Sequence, residues 1–216
     1  MLEKTRSEKK VDPRVRRTRQ WLQDALAALM AEKSFESITV QDIAERAMVN
    51  RVTFYAHFND KYALLEHLMR AMFQKKLRAR LPDGAPFNPD NLVGVIQVVA
   101  ENLDEIQSHC PPPRGQMDTL MEKQIKAEVY EVLRRWLEEA PARRLAGQPA
   151  PEQAATIASW AIYGAAVQWS QKVRREPAGD FARQVLPLIL AGLQPLAHLA
   201  EPARLTPARS PKRSAA

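Results

Sequence analysis

Apolar residues recur along this 216-residue chain at intervals of three and four, and no stretch alternates with the period of two that a strand requires. The pattern predicts helices almost throughout. Asp12-Pro13 reads as an N-cap followed by proline at the first helical position. Thr18, Leu22, Ala25, Leu26, Leu29 and Met30 then share one face of a helix that ends near Lys33. Thr39 to Asp42 is a cap with an acid at its third position, a weaker relative of the capping box, and opens a short helix to about Ala47. Met48-Val49 interrupts the pattern. Asn50 can cap a third helix to about Phe58, and Asn59 a fourth from Asp60 to about Arg80.

Leu81 to Asn88 (LPDGAPFN) has the composition of a linker. Asn88-Pro89 repeats the cap-then-proline signature and starts a helix to about His109, with a break near Asn102 left open. Pro111, Pro112 and Pro113 must end it, since each ring removes an N–H and fixes φ. A long helix follows from Gln116 to Ala140, then a second linker over Pro141 to Pro151, then helices over Glu152–Arg174 and Gly179–Leu199. Prolines read as punctuation between these segments. The tail from Glu201 has no apolar period and is expected to be disordered. Gln153 to Gln171 carries no charge, but its many Ala, Ser, Thr and Gln residues point to a helix covered on most sides by protein, with a dimer partner as a natural cover.

Charge adds a direction. Residues 1–80 hold 17 basic and 10 acidic residues, net +7; residues 81–200 hold 11 and 14, net −3; the tail holds 4 and 1, net +3. A basic N-terminal part beside a near-neutral body suits a polyanion partner. A solvated basic terminus explains the charge equally well, so charge alone does not choose. The seven glycines form neither GxGxxG nor GxxxxGK[ST], which excludes those nucleotide cradles. The single Cys excludes an intrachain disulfide framework and suits a reducing, cytoplasmic setting. The charged start MLEKTRSEKK predicts no secretory leader.

Residues 39–61 (TVQDIAERAMVNRVTFYAHFNDK) concentrate the chemistry. Val40, Ile43, Ala44 and Ala47 supply the inner face of one short helix, and Val49, Phe54 and Phe58 that of the next, across a turn of about three residues. This is helix-turn-helix spacing. Around Val52, the second helix presents Arg51, Thr53, Tyr55 and His57, whose donors suit phosphates and base edges. Any one of them could be an ordinary surface side chain. The coincidence of caps, turn and clustered donors favours a nucleic-acid surface.

That segment, continuing to K-Y-A-L-L, resembles the DNA-binding signature of TetR/AcrR-type transcriptional regulators, over about residues 14–68. Met48 departs from the pattern, which favours glycine in the turn; a turn kept in the right-handed or bridge region would accommodate it. The resemblance implies an all-α homodimer of about nine helices: a three-helix DNA-binding domain with a helix-turn-helix, then a helical effector and dimerisation domain. The corresponding boundaries are a basic arm at 1–12, the DNA-binding domain at 13–60, a connecting helix at 61–80, the ligand-binding and dimerisation domain at 81–200, and the tail at 201–216. By the same resemblance, Gln41, Arg51, Val52 and Thr53 face base edges, Asn50 belongs to the same surface, and Thr39, Tyr55, His57 and Lys61 grip phosphates. Thr39 and Lys61 stand at helix starts, where the dipole favours an anion. Arg14, Arg16, Arg17 and Arg19 add phosphate or minor-groove contacts.

The expected partners are a palindromic double-stranded operator, a second copy of the chain and a small-molecule effector, with no cofactor, metal or membrane. Met117, Met121, Gln124, Trp136, Trp160 and Tyr163 suit an adaptable apolar pocket, and would equally build a core. Trp160, Ala161, Gly164, Ala165, Gln168 and Trp169, with Leu186, Ile189, Leu190 and Leu193, suit a four-helix seam between copies or the monomer's own core. His109-Cys110 has no partner ligands at useful spacing. The expected function is a repressor released by its effector. The alternatives are a helical-bundle enzyme, for which Asp104-Glu105 and Glu138-Glu139 are the paired carboxylates, and a ligand-binding or scaffold protein without DNA contact.

Overall fold

A computed structural model describes residues 12–109, 116–139, 149–173 and 175–193. The arm before residue 12, Cys110, the three consecutive prolines, most of the second linker, Arg174 and the chain from residue 194 lie outside the described residues. Eight α-helices and one 3-10 turn are present among them: α1 Pro13–Glu32, the turn Phe35–Ser37, α2 Val40–Arg46, α3 Arg51–Tyr55, α4 Lys61–Arg80, α5 Pro89–His109, α6 Gln116–Glu139, α7 Pro151–Ser170 and α8 Ala178–Leu193. The fold is all-α. No described helix is long and apolar enough to cross a membrane.

The chain forms two compact units. Met1–Arg78 with Pro112–Glu128 make the first, and Ala79–Pro111 with Val129–Ala216 the second. The first therefore includes the N-terminal half of α6 beside the four N-terminal helices.

In the first unit, Leu22, Ala25, Leu26 and Leu29 of α1 are buried, as their spacing predicts, together with Phe35, Ile38, Ile43, Ala44 and Phe54. α1 packs on α2, and α2 on α3. Fully burying a side chain the size of Phe54 contributes roughly 1.5–3 kcal/mol, and for helices as short as α2 and α3 such packing rather than propensity supplies the stability. Two ion pairs brace α1 against α2. Arg46 makes a two-pronged contact with Glu32, both bonds 2.8 Å, and Lys33 meets Asp42 at 2.9 Å.

In the second unit, α5 packs against α7 and α8, which also pack on each other. α5 is continuous from Pro89 to His109, so the open question at Asn102 is settled by an unbroken helix with that side chain buried. Asn88 caps it as expected, its side chain accepting from the Asn91 N–H at 2.7 Å. Trp136 of α6 is buried, donates its indole N–H to the Ala85 carbonyl at 2.7 Å, and packs on Phe87.

Two local expectations need correcting. The cap of α4 is Asp60 and not Asn59: its carboxylate accepts from the Ala63 N–H at 2.8 Å. Proline also stands inside a helix, at Pro187 of α8. There it removes one backbone donor, a defect tolerable on this exposed face, where the freed carbonyl of Arg183 can meet solvent.

Candidate nucleic-acid interface

Three caps define the helix-turn-helix. Thr39 and Asp42 form a full capping box at the start of α2: the Asp42 N–H donates to the Thr39 hydroxyl at 3.1 Å, and the Thr39 N–H to the Asp42 carboxylate at 2.8 Å. That carboxylate also receives Lys33. These bonds hold its pKa down at about 2, the Lys33 hydrogen bond first and the Thr39 backbone N–H next. At the start of α3, Asn50 accepts from both the backbone N–H and the hydroxyl of Thr53, at 2.7 and 2.9 Å. Asn50 thus spends its side-chain carbonyl on the fold.

The turn between α2 and α3 is a Schellman cap. Met48 donates to the Glu45 carbonyl at 3.0 Å and Val49 to the Ala44 carbonyl at 2.9 Å. In such a cap the residue after the C-cap Ala47 must be left-handed, and that residue is Met48, at φ 53. The expectation that this turn avoids the left-handed region is therefore wrong. The hydrogen-bond pattern that ends α2 imposes that region, and a non-glycine residue carries the strain.

With Phe54 fully buried, the rest of α3 is presented outward. Arg51 and Val52 are exposed, Val52 to 78%, and Tyr55 is 48% exposed. Thr53 and His57 are half-buried. The Arg51 guanidinium lies 5.9 Å from the Tyr55 ring centre and reaches the phenol oxygen at 3.5 Å. Tyr55 stands edge-on to Phe54. Burial, and then the charge of Arg19, push the His57 imidazole below its ordinary value, so at neutral pH it offers one donor and one acceptor. Gln41 is exposed on α2 and bonds Glu45 at 2.5 Å.

The Lys61 ammonium is engaged within the fold. It donates to the carbonyls of Phe35, Glu36 and Ile38 at 3.0, 3.0 and 2.8 Å. It also lies over the rings of Phe35 and Tyr62, at 4.7 and 5.6 Å. An ammonium has three donors, and all three are taken.

The candidate pocket residues fall in both units. Met117, Met121 and Gln124 belong to the first, and Trp136, Trp160 and Tyr163 to the second. Gln124 is almost fully buried and joins a polar ladder, accepting from Arg70 at 3.2 Å and donating to Glu66, while Arg70 also pairs with Glu128 at 3.1 Å. Met117, Met121 and Trp136 are buried, Tyr163 is half-buried and Trp160 is 59% exposed. The first unit does show a depression of about 410 Å³, but it is lined by Trp21, Asp24, Ala28, Arg46 and Met48. Of the candidate seam residues, Trp169, Ile189 and Leu193 are buried within their own unit. Ile157 and Trp160 on α7 and Leu188 on α8 are exposed. Of the paired carboxylates, Asp104 is bonded to Arg175, and Glu138 to Arg134 at 2.7 Å. No group of three or more His, Cys, Asp or Glu side chains that could hold a metal occurs among the described residues.

Two short capped helices, a fixed turn and an outward face of Arg51, Val52 and Tyr55 define a helix-turn-helix, the arrangement of a DNA-reading motif. Residues 22–68 match the family of bacterial regulatory proteins, tetR family. A curated relative, the uncharacterized HTH-type transcriptional regulator YxbF of Bacillus subtilis, is 41% identical over 64 residues, which span 29% of this chain and 17% of the relative. Among solved structures, FadR of Bacillus subtilis in complex with stearoyl-CoA aligns with a TM-score of 0.52 at 17% identity, over 80% of this chain and 98% of that one. A TetR transcriptional regulator from Streptococcus agalactiae gives 0.50 at 20% identity, over 82% and 96%. RolR in complex with resorcinol gives 0.50 at 16%, over 86% and 95%. These structures share the fold.

Proposed function

We propose that the chain is a dimeric, sequence-specific DNA-binding transcriptional regulator of the cytoplasm, a repressor released by a small-molecule effector. The observation that carries the reading is α3, a five-residue helix fixed by Asn50 at its start and by buried Phe54 beneath, which leaves Arg51, Val52 and Tyr55 outward. Arg51 reads a guanine edge, Val52 packs against a thymine methyl group, and Thr53 and Gln41 complete the base contacts. Thr39, Tyr55 and His57 contact phosphates, which position without specifying. The exposed apolar side chains Ile157, Trp160 and Leu188 of α7 and α8 support pairing with a second copy, and pairing would place two α3 helices on a palindrome. Binding of stearoyl-CoA and of resorcinol by proteins of the same fold supports an effector with substantial apolar surface.

Selection of duplexes by the full chain from a random-sequence library tests this. The expected result is a palindromic consensus, bound less tightly as salt rises. Arg51→Ala should relax one position in each half-site, at about 1–3 kcal/mol of discrimination. Recovery of no consensus would overturn the proposal.

A further inference from the structure

We propose that Lys61 is a positioning residue of the DNA-binding surface, an internal staple acting through the start of α2, and that it does not grip a phosphate. The inference rests on the DNA-binding reading above. Three converging carbonyls, from Phe35, Glu36 and Ile38, saturate the ammonium at 2.8–3.0 Å. A phosphate could recruit Lys61 only by breaking those bonds, freeing the carbonyls of Phe35 and Ile38, residues only 5% and 1% exposed, and that of exposed Glu36. The charge is held again by the rings of Phe35 and Tyr62, which stand edge-on to each other at 5.3 Å.

The place where the staple lands gives it a role in recognition. Ile38 immediately precedes Thr39, the cap of α2 and a candidate phosphate contact, and Gln41 follows two residues later. Lys61 is also the first residue of α4, just beyond the Asn59-Asp60 turn that follows α3 and His57. One side chain therefore ties the segment leading into α2 to the segment leaving α3. It fixes the spacing between the two edges of the surface that would meet DNA.

The test uses the full chain, its Lys61→Met and Lys61→Arg variants, and a duplex selected by the wild type. Affinity is corrected for the folded fraction and measured across a salt series. A phosphate-gripping lysine contributes about 0.9 to the slope of log K against log salt. The positioning role predicts that both variants bind roughly tenfold more weakly, on the scale of losing a charge-assisted hydrogen-bonded anchor, with the wild-type slope retained. Arginine does not rescue, because its planar fork cannot point at three converging carbonyls. A shallower slope for Lys61→Met with near-normal binding by Lys61→Arg would overturn the proposal in favour of a phosphate contact. Unchanged affinity in both would overturn it in favour of packing alone. A measurement without DNA separates this from the broader reading: in the nitrogen-15-labelled wild type, the Lys61 ammonium protons should exchange slowly and give a resolved signal. A rapidly exchanging ammonium would overturn the staple even where DNA binding holds. A protected ammonium in a chain that binds no DNA would sink the proposed function and the recognition role together while leaving the contact in place.

Discussion

Met48→Gly should stabilise the protein. Met48 is held at φ 53 by the Schellman cap, and a left-handed conformation costs an L-residue roughly 1–2 kcal/mol. Glycine removes that cost, while its freer unfolded chain takes back roughly 0.5–1 kcal/mol. The side chain is 93% exposed, so truncation sacrifices little burial. The net gain is about 0.5–1 kcal/mol. For a chain of this length, 1 kcal/mol moves Tm by roughly 2–4 °C. Urea unfolding followed by far-UV circular dichroism measures the change directly, as a higher midpoint at unchanged slope. Met48→Ala is the control, since alanine keeps the β-carbon and hence the strain, and should gain nothing. Met48→Asn should fall between, because asparagine tolerates the left-handed region better than other residues. A Met48→Gly midpoint at or below that of the wild type, or equal stabilisation by alanine, would refute the assignment of strain to this turn.

Asp42 should titrate near 2 in the folded protein, below its ordinary 3.8, when its carboxyl resonance is followed by NMR. Because the folded pKa is the depressed one, its contribution to stability is present above the unfolded value and is lost as pH falls from about 4 through about 2. Asp42→Asn should abolish that part of the acid response, and an Asp42 midpoint near 3.8 would disprove the bonded capping box. Trp136→Phe should cost about 1–3 kcal/mol by stranding the Ala85 carbonyl, and Trp136→Ala about 3–5 kcal/mol by adding a cavity, both read from urea midpoints. On the proposed pairing through α7 and α8, the wild type should sediment as a dimer and the variant with Ile157 and Trp160 replaced by Ser as a monomer; a monomeric wild type would refute the pairing, and a dimeric variant its placement on these residues.

What the sequence reveals here is set by how local the physics is. α1 and α5 are legible to within a residue or two, because Asp12-Pro13 and Asn88-Pro89 combine two independent start signals and a regular apolar face follows. The α3 surface is legible for a related reason: burying Phe54 on so short a helix leaves Arg51, Val52 and Tyr55 little choice but to face outward. Adjacent caps such as Asn59 and Asp60 both fit the pattern, and only the register of the first turn decides between them. Met48 is harder still. Nothing in its own chemistry asks for a positive φ; the demand comes from the carbonyls of Ala44 and Glu45, which need donors once α2 stops. Lys61 lies at the far end of this range. A lysine at a helix start in a DNA-binding motif reads naturally as a phosphate ligand, and its actual partners are carbonyls 23 to 26 residues earlier. Side-chain chemistry tells what a group can bind, whereas competition for its donors is decided by tertiary neighbours. In this surface the donors of Arg51 and Tyr55 remain outward, and it is to these that the proposed function assigns recognition, whereas the carbonyl of Asn50 and the ammonium of Lys61 are engaged by the fold itself.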